Sequence, residues 1–398
     1  MKKVSVSRMI FLMGLYAVFA NLVHPVSPAY YTQLGCHDYI FGVAMAAMSL
    51  TNFLFAPFWG KMMDRYGCAR ITGFCLFGYA FAQFIFASVT TELGIALARL
   101  LAGVFISAII VSQMLYVMRY SPSEKAPRNL MYMATTIAVI SPAGYLIGGV
   151  LGDYSIKASM MAQVAGLTLL GVLFLLFLDD EKTEQAPAVS GRELLSEVNP
   201  LKSFGEIRPY MNALAAVFFV IAFLTHFSST CYEQSFNYLI KAEYGFPPSY
   251  NGYLKALVGI VALVSNLTVS TYLLRKTNVP KSTVGVLAIC AVMSVGIVLI
   301  KAITPFIVIN VVFFGFNSVY LPLLQSTLAK LTNKGTHGIF VGMFNAMRSV
   351  GMVCGSLAAG FAYTISSRLP FVITALLFAV SVVFAVINYK QHELKNSV

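Results

Sequence analysis

Gly60-Lys61-Met62-Met63-Asp64-Arg65-Tyr66-Gly67-Cys68-Ala69-Arg70 is a knot of charge and glycine between two apolar runs, residues 40–60 and 71–89. An apolar run of about 20 residues is what a bilayer's hydrocarbon core requires of a spanning helix. The knot between two such runs is then a short loop at one membrane face. The whole chain follows this pattern. Of its 398 residues, 58% are hydrophobic and only 11% charged, and mean hydropathy is +0.78. A soluble domain is about 45–50% apolar and about 25% charged. Too few charges remain here to cover a water-facing surface, which excludes a cytosolic enzyme, a disordered regulator and a nucleic-acid binder, even with a net charge of +12.

Apolar runs recur near residues 9–30, 40–60, 71–89, 93–118, 129–150 and 159–178, then near 210–238, 250–274, 282–301, 304–329, 337–364 and 369–389. The expected fold is an all-α integral membrane protein of twelve transmembrane helices in two six-helix pseudo-repeats. The expected organisation is an N-terminal bundle over 1–178, a linker over 179–208 and a C-terminal bundle over 209–398. The linker opens on Asp179-Asp180-Glu181-Lys182 and carries Pro187, Gly191 and Pro200, with a short amphipathic helix expected around 192–198. Lys2, Lys3, Arg8 and the run after them imitate a secretory signal. The apolar character continues past Ala20 to Pro28, so an uncleaved first helix is the expectation.

Positive charge orients the chain. With the N-terminus inside, 20 of the 27 Lys and Arg fall on the inner side and five outside, while Arg99 and Arg348 lie within spans. Both termini and the linker are therefore expected in the cytoplasm. The six cysteines are scattered without a CxxC pair and read as unpaired, mostly buried thiols, not as a metal or disulfide frame. No nucleotide-binding loop or hydrolase motif occurs, so the reading has no enzyme, no cofactor and no metal site.

Punctuation repeats between the halves. Gly35 and Gly42 correspond to Gly245 and Gly252 at an offset of 210, and Gly144 and Gly148 to Gly351 and Gly355 at 207. Parallel repeats of this kind are a transporter signature, with substrate handled midway between the halves.

The 60–70 loop resembles the GxxxDRxGxxR signature of the major facilitator superfamily, and the resemblance covers all twelve spans. It implies a conformational gate at Gly60, Asp64, Arg65, Gly67 and Arg70. Gly60 would allow close helix approach, and Asp64 would accept from free N–H groups at a neighbouring helix N-terminus. Cys68-Ala69 stands where that family usually has a basic pair. Arg99-Leu100-Leu101-Ala102-Gly103 resembles the family's RxxxG motif, which is tied to proton coupling; the plain alternative is an arginine snorkelling to the outer interface. The stretch 141–152, with Pro142, Gly144, Gly148, Gly149 and Gly152, resembles the Gly/Pro-rich motif of the exporting branches. Its glycines, spaced by four, form a smooth face for close packing.

Glu233 stands among aromatics in the seventh span: Cys231-Tyr232-Glu233-Gln234-Ser235-Phe236-Asn237-Tyr238. It resembles the aromatic-Glu element of proton-coupled quinolone and multidrug exporters, where that acid exchanges protons and meets cationic drugs. Burial disfavours the charged form of a carboxylate, so an acid here suits proton carriage. The alternative is a Glu at the water interface bonded to Gln234 or Asn237. His24 and His226 titrate near neutrality and could share that work, or be hydrogen-bonded core histidines. Arg348 is unexpected in the family and suits an anionic group.

The sequence therefore reads as a secondary active transporter of small molecules, expected as a monomer in a bacterial cytoplasmic membrane. The primary expectation is efflux of small amphipathic compounds driven by the proton gradient. The rival is an importer or exporter of an anionic metabolite, siderophore or lipid-like molecule anchored on Arg348.

Overall fold

The computed structural model describes residues 5–122, 124–180, 205, 207–300, 302–332 and 337–396. Among these there are helices and no strand. In a lipid-embedded chain this follows from hydrogen bonding, since a helix satisfies its own N–H and C=O groups where no water can. The helices are α1 (Val6–Ala20), α2 (Ser27–Gln33), α3 (Ile40–Tyr66), α4 (Cys68–Ser88), α5 (Glu92–Tyr120), α6 (Ala126–Tyr154) and α7 (Ile156–Phe177). After them come α8 (Ala213–Ala242), α9 (Pro248–Ser265), α10 (Thr271–Lys276), α11 (Val279–Leu299), α12 (Ile303–Leu331), α13 (His337–Ile365) and α14 (Leu369–Asn396). A π-helical turn, Asn266–Ser270, joins α9 to α10. The linker expected over 179–208 lies almost wholly outside the described residues, as does the short helix expected at 192–198.

Among the described residues, eleven helices are long and apolar enough to cross a membrane, taking Pro248–Lys276 as one. They match eleven of the apolar runs. The run at 9–30 differs, because it is not one helix but α1, a turn over 21–26, and α2. Pro25 has no N–H to donate and its ring opposes continuation of the preceding turn. Asn21 closes α1, its side-chain amide donating to the Ala17 carbonyl at 2.7 Å, and Pro28 stands in the first turn of α2, where a missing N–H costs nothing. The carbonyls freed at the break find donors on α7: Gln163 Nε2 to Ala20 O at 2.8 Å and Ser159 Oγ to Leu22 O at 3.0 Å.

The chain forms two compact units, one of Met1–Cys36, Ala47–Pro200 and Ile240–Gly259, the other of His37–Ala46, Leu201–Leu239 and Ile260–Val398. In the first unit, α1 packs on α6 and α7, and α4 on α5 and α7. The glycine face of α6 receives the broken first apolar run as bare backbone. A Cβ at Gly144 would stand 2.3 Å from Val18 O, one at Gly148 2.0 Å from Leu22 O, and one at Gly152 2.2 Å from Val26 Cγ1. On the same helix Gly149 lies against the Pro248 carbonyl, and the Pro142 ring fills the space beside Gly259. In the second unit α11 packs on α12 and α14. There α13 approaches α8 as α6 approaches α1: Cβ atoms at Gly351 and Gly355 would stand 2.6 Å and 2.4 Å from the Phe223 and Phe227 carbonyls. The glycine pairs repeated at an offset of 207 thus do the same job in each unit.

A side chain at Gly148 must displace backbone. Gly148→Val is expected to destabilise the protein by about 1–3 kcal/mol, the usual range for overpacking. Gly285→Ala, at an exposed helical position where a Cβ meets nothing within 4 Å, should instead stabilise by up to about 1 kcal/mol. Thermal unfolding of both variants in detergent checks the contrast.

Candidate functional site

The charged knot is built around an acid that sequence reading assigned to the linker. Gly67 has φ +92°, a conformation that side-chain-bearing residues rarely adopt, and it begins α4 without a side-chain cap of its own. Asp180 supplies the cap, its carboxylate accepting from the Ala69 and Arg70 N–H groups at 3.0–3.2 Å. A Cβ at Gly67 would lie 2.3 Å from Asp180 Oδ2, so the glycine makes room for the acid as well as the turn. Tyr120 also points its hydroxyl at Asp180, and Tyr116 donates to the Asp179 carbonyl.

Asp64 does not take the helix N-terminus expected of it. It pairs instead with Arg119 at the end of α5, which also donates to the Met63 carbonyl. The two side chains are 62% and 30% exposed, so this ion pair sits in water and adds at most about 1 kcal/mol. Arg65 lies over the Tyr66 ring at 5.4 Å, and Arg70 is exposed. Gly60 is not pressed, since a Cβ there reaches only Val111 at 4.0 Å. The close approach of α3 to α5 falls at Gly103, where a Cβ would stand 2.2 Å from Met48 O.

Arg99 is 3% exposed, so it does not reach the interface by snorkelling. Its guanidinium carbon stands 3.8 Å over the Phe86 ring and Nη2 donates to Ser27 Oγ at 3.3 Å. Its Nε has no hydrogen-bond partner among the described residues. His24, in the turn between α1 and α2, stacks on Tyr145 at 5.7 Å, and the Lys255 ammonium lies 5.9 Å from the centre of the same Tyr145 ring. Along α1 and α6 runs an open groove of about 490 Å3 lined by Ser7, Ile10, Tyr132, Thr136, Val139 and Ile140.

In the second unit, His226, Ser229 and Glu233 follow at i, i+3 and i+7 on one face of α8, which is the spacing that stacks side chains along a helix. The adjoining flank is packed with aromatics: Tyr232 stacks on Phe313 at 3.7 Å and donates to Asn310 Oδ1 at 2.6 Å. Phe236 lies edge-on to Phe314 at 5.5 Å. Glu233 and its neighbours Gln234 and Asn237 are only half-buried. His226 Nδ1 lies 2.8 Å from the Ala222 carbonyl. A carbonyl can only accept, which assigns the proton to Nδ1 and leaves Nε2 as an acceptor in the neutral ring. That Nε2 is buried with no partner among the described residues.

Around His226 stand Tyr320 of α12 (5.4 Å between rings) and Phe344 of α13 (6.2 Å). Asn317 donates to Ser229 Oγ at 2.8 Å. Arg348, one turn before Gly351, has its guanidinium carbon 6.0 Å over Phe344. The structure thus brings His226 and Arg348 into one cluster with Tyr320, Phe344 and Asn317. Tyr320 and Phe344 carried no sequence signal, being two among 52 Tyr and Phe residues. No group of three His, Cys, Asp or Glu that could hold a metal occurs among the described residues.

A sequence model described as "Major Facilitator Superfamily" matches residues 9–317. Multidrug resistance protein 2 of Bacillus subtilis strain 168 is 21% identical, over 93% of this chain and 92% of its own length. The quinolone resistance protein NorA of Staphylococcus aureus strain MRSA252 is 24% identical, over 96% of each. The crystal structure of the human organic anion transporter MFSD10 superposes with a TM-score of 0.67 at 17% identity, covering 96% of this chain and 98% of that one.

The geometry of the knot ranks three substitutions. Gly67→Ala should destabilise most, by about 1–3 kcal/mol, because it combines a strained backbone with a clash. Asp180→Ala should lose about 1 kcal/mol with its helix cap, and Asp64→Ala less than that. Thermal unfolding of the purified variants reads the order.

Proposed function

The chain belongs to the Major Facilitator Superfamily, and we propose that it is a proton-coupled exporter of small amphipathic compounds. As a member of that family it is a multi-pass membrane transporter of small molecules, not an enzyme. In the proposed reading, the halves 1–178 and 209–398 move about the linker 179–208 and expose the cargo site to each side in turn. The membrane is the bacterial cytoplasmic one, with both termini inside.

The observation that carries the reading is Glu233. It is the one carboxylate set within, not at the end of, a long apolar helix among the described residues. A charged acid in such a place is expensive and marks a proton or ion path. Tyr232 and Phe236 beside it are buried in ring packing, while Glu233 itself is only half-buried. A cationic or proton-bearing cargo and the proton would then compete for one carboxylate, which is the simplest chemistry for exchange. His24 and His226 offer further proton-binding nitrogens, Gln234 and Asn237 polar contacts, and Arg99 a fixed positive charge. The α1–α6 groove suits amphipathic cargo, since it offers both hydroxyls and aliphatic surface. The similarity to multidrug, quinolone and tetracycline resistance proteins supports export over uptake.

In proteoliposomes with an imposed pH gradient, wild-type protein should move a cationic amphipathic dye against its concentration. Glu233→Gln should cut that flux at least about tenfold, as for loss of a group that takes part directly in proton transfer, while dye binding in detergent persists. Gradient-driven transport at the wild-type rate in Glu233→Gln sinks the coupling role.

A further inference from the structure

We infer that the second unit carries a recognition site for a carboxylate on the cargo, built on Arg348, so that the preferred compounds are amphiphiles bearing an anionic group as well as an apolar body. This deepens the export reading by naming a cargo class, and it rests on that reading only for direction of movement. Arg348 lies on α13, inside a span and half-buried. Its Nε is sealed from solvent without a hydrogen-bond partner, and no carboxylate pairs with it among the described residues. The chain has few acids to offer: between 209 and 392 they are Glu233 and Glu243 alone. Glu233 stands seven residues beyond His226 on α8, about 10 Å of helix rise.

A guanidinium in a low-dielectric span needs an anion, water or a neighbouring carbonyl. Arg99 is the more enclosed of the two: 3% exposed, its guanidinium carbon 3.8 Å over Phe86 and Nη2 bonded to Ser27, although its Nε too has no partner among the described residues. Arg348 has no such enclosure. Phe344 is 6.0 Å away, too far to replace an ion pair, and the residue keeps open surface.

The position is also fixed. Gly351 and Gly355 bring α13 to within carbonyl contact of α8, which sets Arg348 beside His226 at the aromatic wall of Tyr320 and Phe344. Two acceptors there lack partners among the described residues, His226 Nε2 and Asn317 Oδ1. The cluster therefore offers a donor fork for a carboxylate, flanked by acceptors for an adjacent hydroxyl or N–H.

Matched pairs test this: a quinolone carboxylic acid and its methyl ester, and aryl amphiphile acids and their esters, titrated against purified protein in detergent without a gradient. Wild type should bind the acids at least about tenfold more tightly than the esters, the usual scale for a hydrogen-bonded charge. Arg348→Gln should erase that preference while leaving ester affinity unchanged. Arg348→Lys, which keeps the charge but loses the bidentate fork, should retain part of it, and serves if the Gln variant does not fold. No preference for the acid in any pair overturns the proposal. So does equal loss of acid and ester in a folded Arg348 variant, or loss of the preference on adding phosphatidylglycerol but not phosphatidylcholine, which would give the arginine to a lipid phosphate. Acid preference without gradient-driven flux would sink the export reading and leave this site standing.

Discussion

A backbone carbonyl in hydrocarbon must have a donor, and much of the first unit is arranged around two that lost theirs. The turn at 21–26 interrupts the first apolar run and strands the Ala20 and Leu22 carbonyls. Each unsatisfied group of this kind costs several kcal/mol in lipid. Gln163 and Ser159 reach them from α7, and they can do so only because α6 presents glycine to the other side of the same turn. Three helices are thereby committed to one register by hydrogen bonds that cannot be traded for water. The second unit meets the same packing requirement without a break, since α8 runs uninterrupted past the glycines of α13. One repeat has kept a straight helix where the other has an interruption bearing His24.

The two arginines within spans show how surroundings, not residue type, decide a role. Arg99 is enclosed by an aromatic face and a hydroxyl and fixes the outer part of the first unit's core. Arg348 has less cover and stands at a polar seam whose other members also have unused hydrogen-bonding capacity. Glu233 stands seven residues beyond His226 on α8 and is half-buried, whereas Arg348 approaches His226 from α13.

Eleven crossings were legible in the sequence because lipid enforces them: an apolar run of that length has no other stable form. The break in the first run was not, because Asn21, His24, Pro25 and Ser27 are too few to interrupt a hydropathy average. Only backbone accounting shows that the carbonyls there are served from α7, a partner 137 and 143 residues away. Asp180 was misread for a related reason. A charged residue at the end of an apolar run looks like the start of a linker, and nothing local reveals that it caps a helix 111 residues earlier. Glu233 and Arg348 stood out as rare charges. The aromatic residues around them, Tyr320 and Phe344, did not, because aromatic side chains in a span are common and only their convergence is informative.

The compact units are not consecutive pieces of chain. Residues Ile240–Gly259, from the second half, complete the unit built mainly from the first, and His37–Ala46 make the reciprocal loan. Order of synthesis therefore matters. Residues 1–178 leave the ribosome before residues 240–259 exist, so the contacts of Gly149 with Pro248 and of Pro142 with Gly259 belong to the later stages of biogenesis.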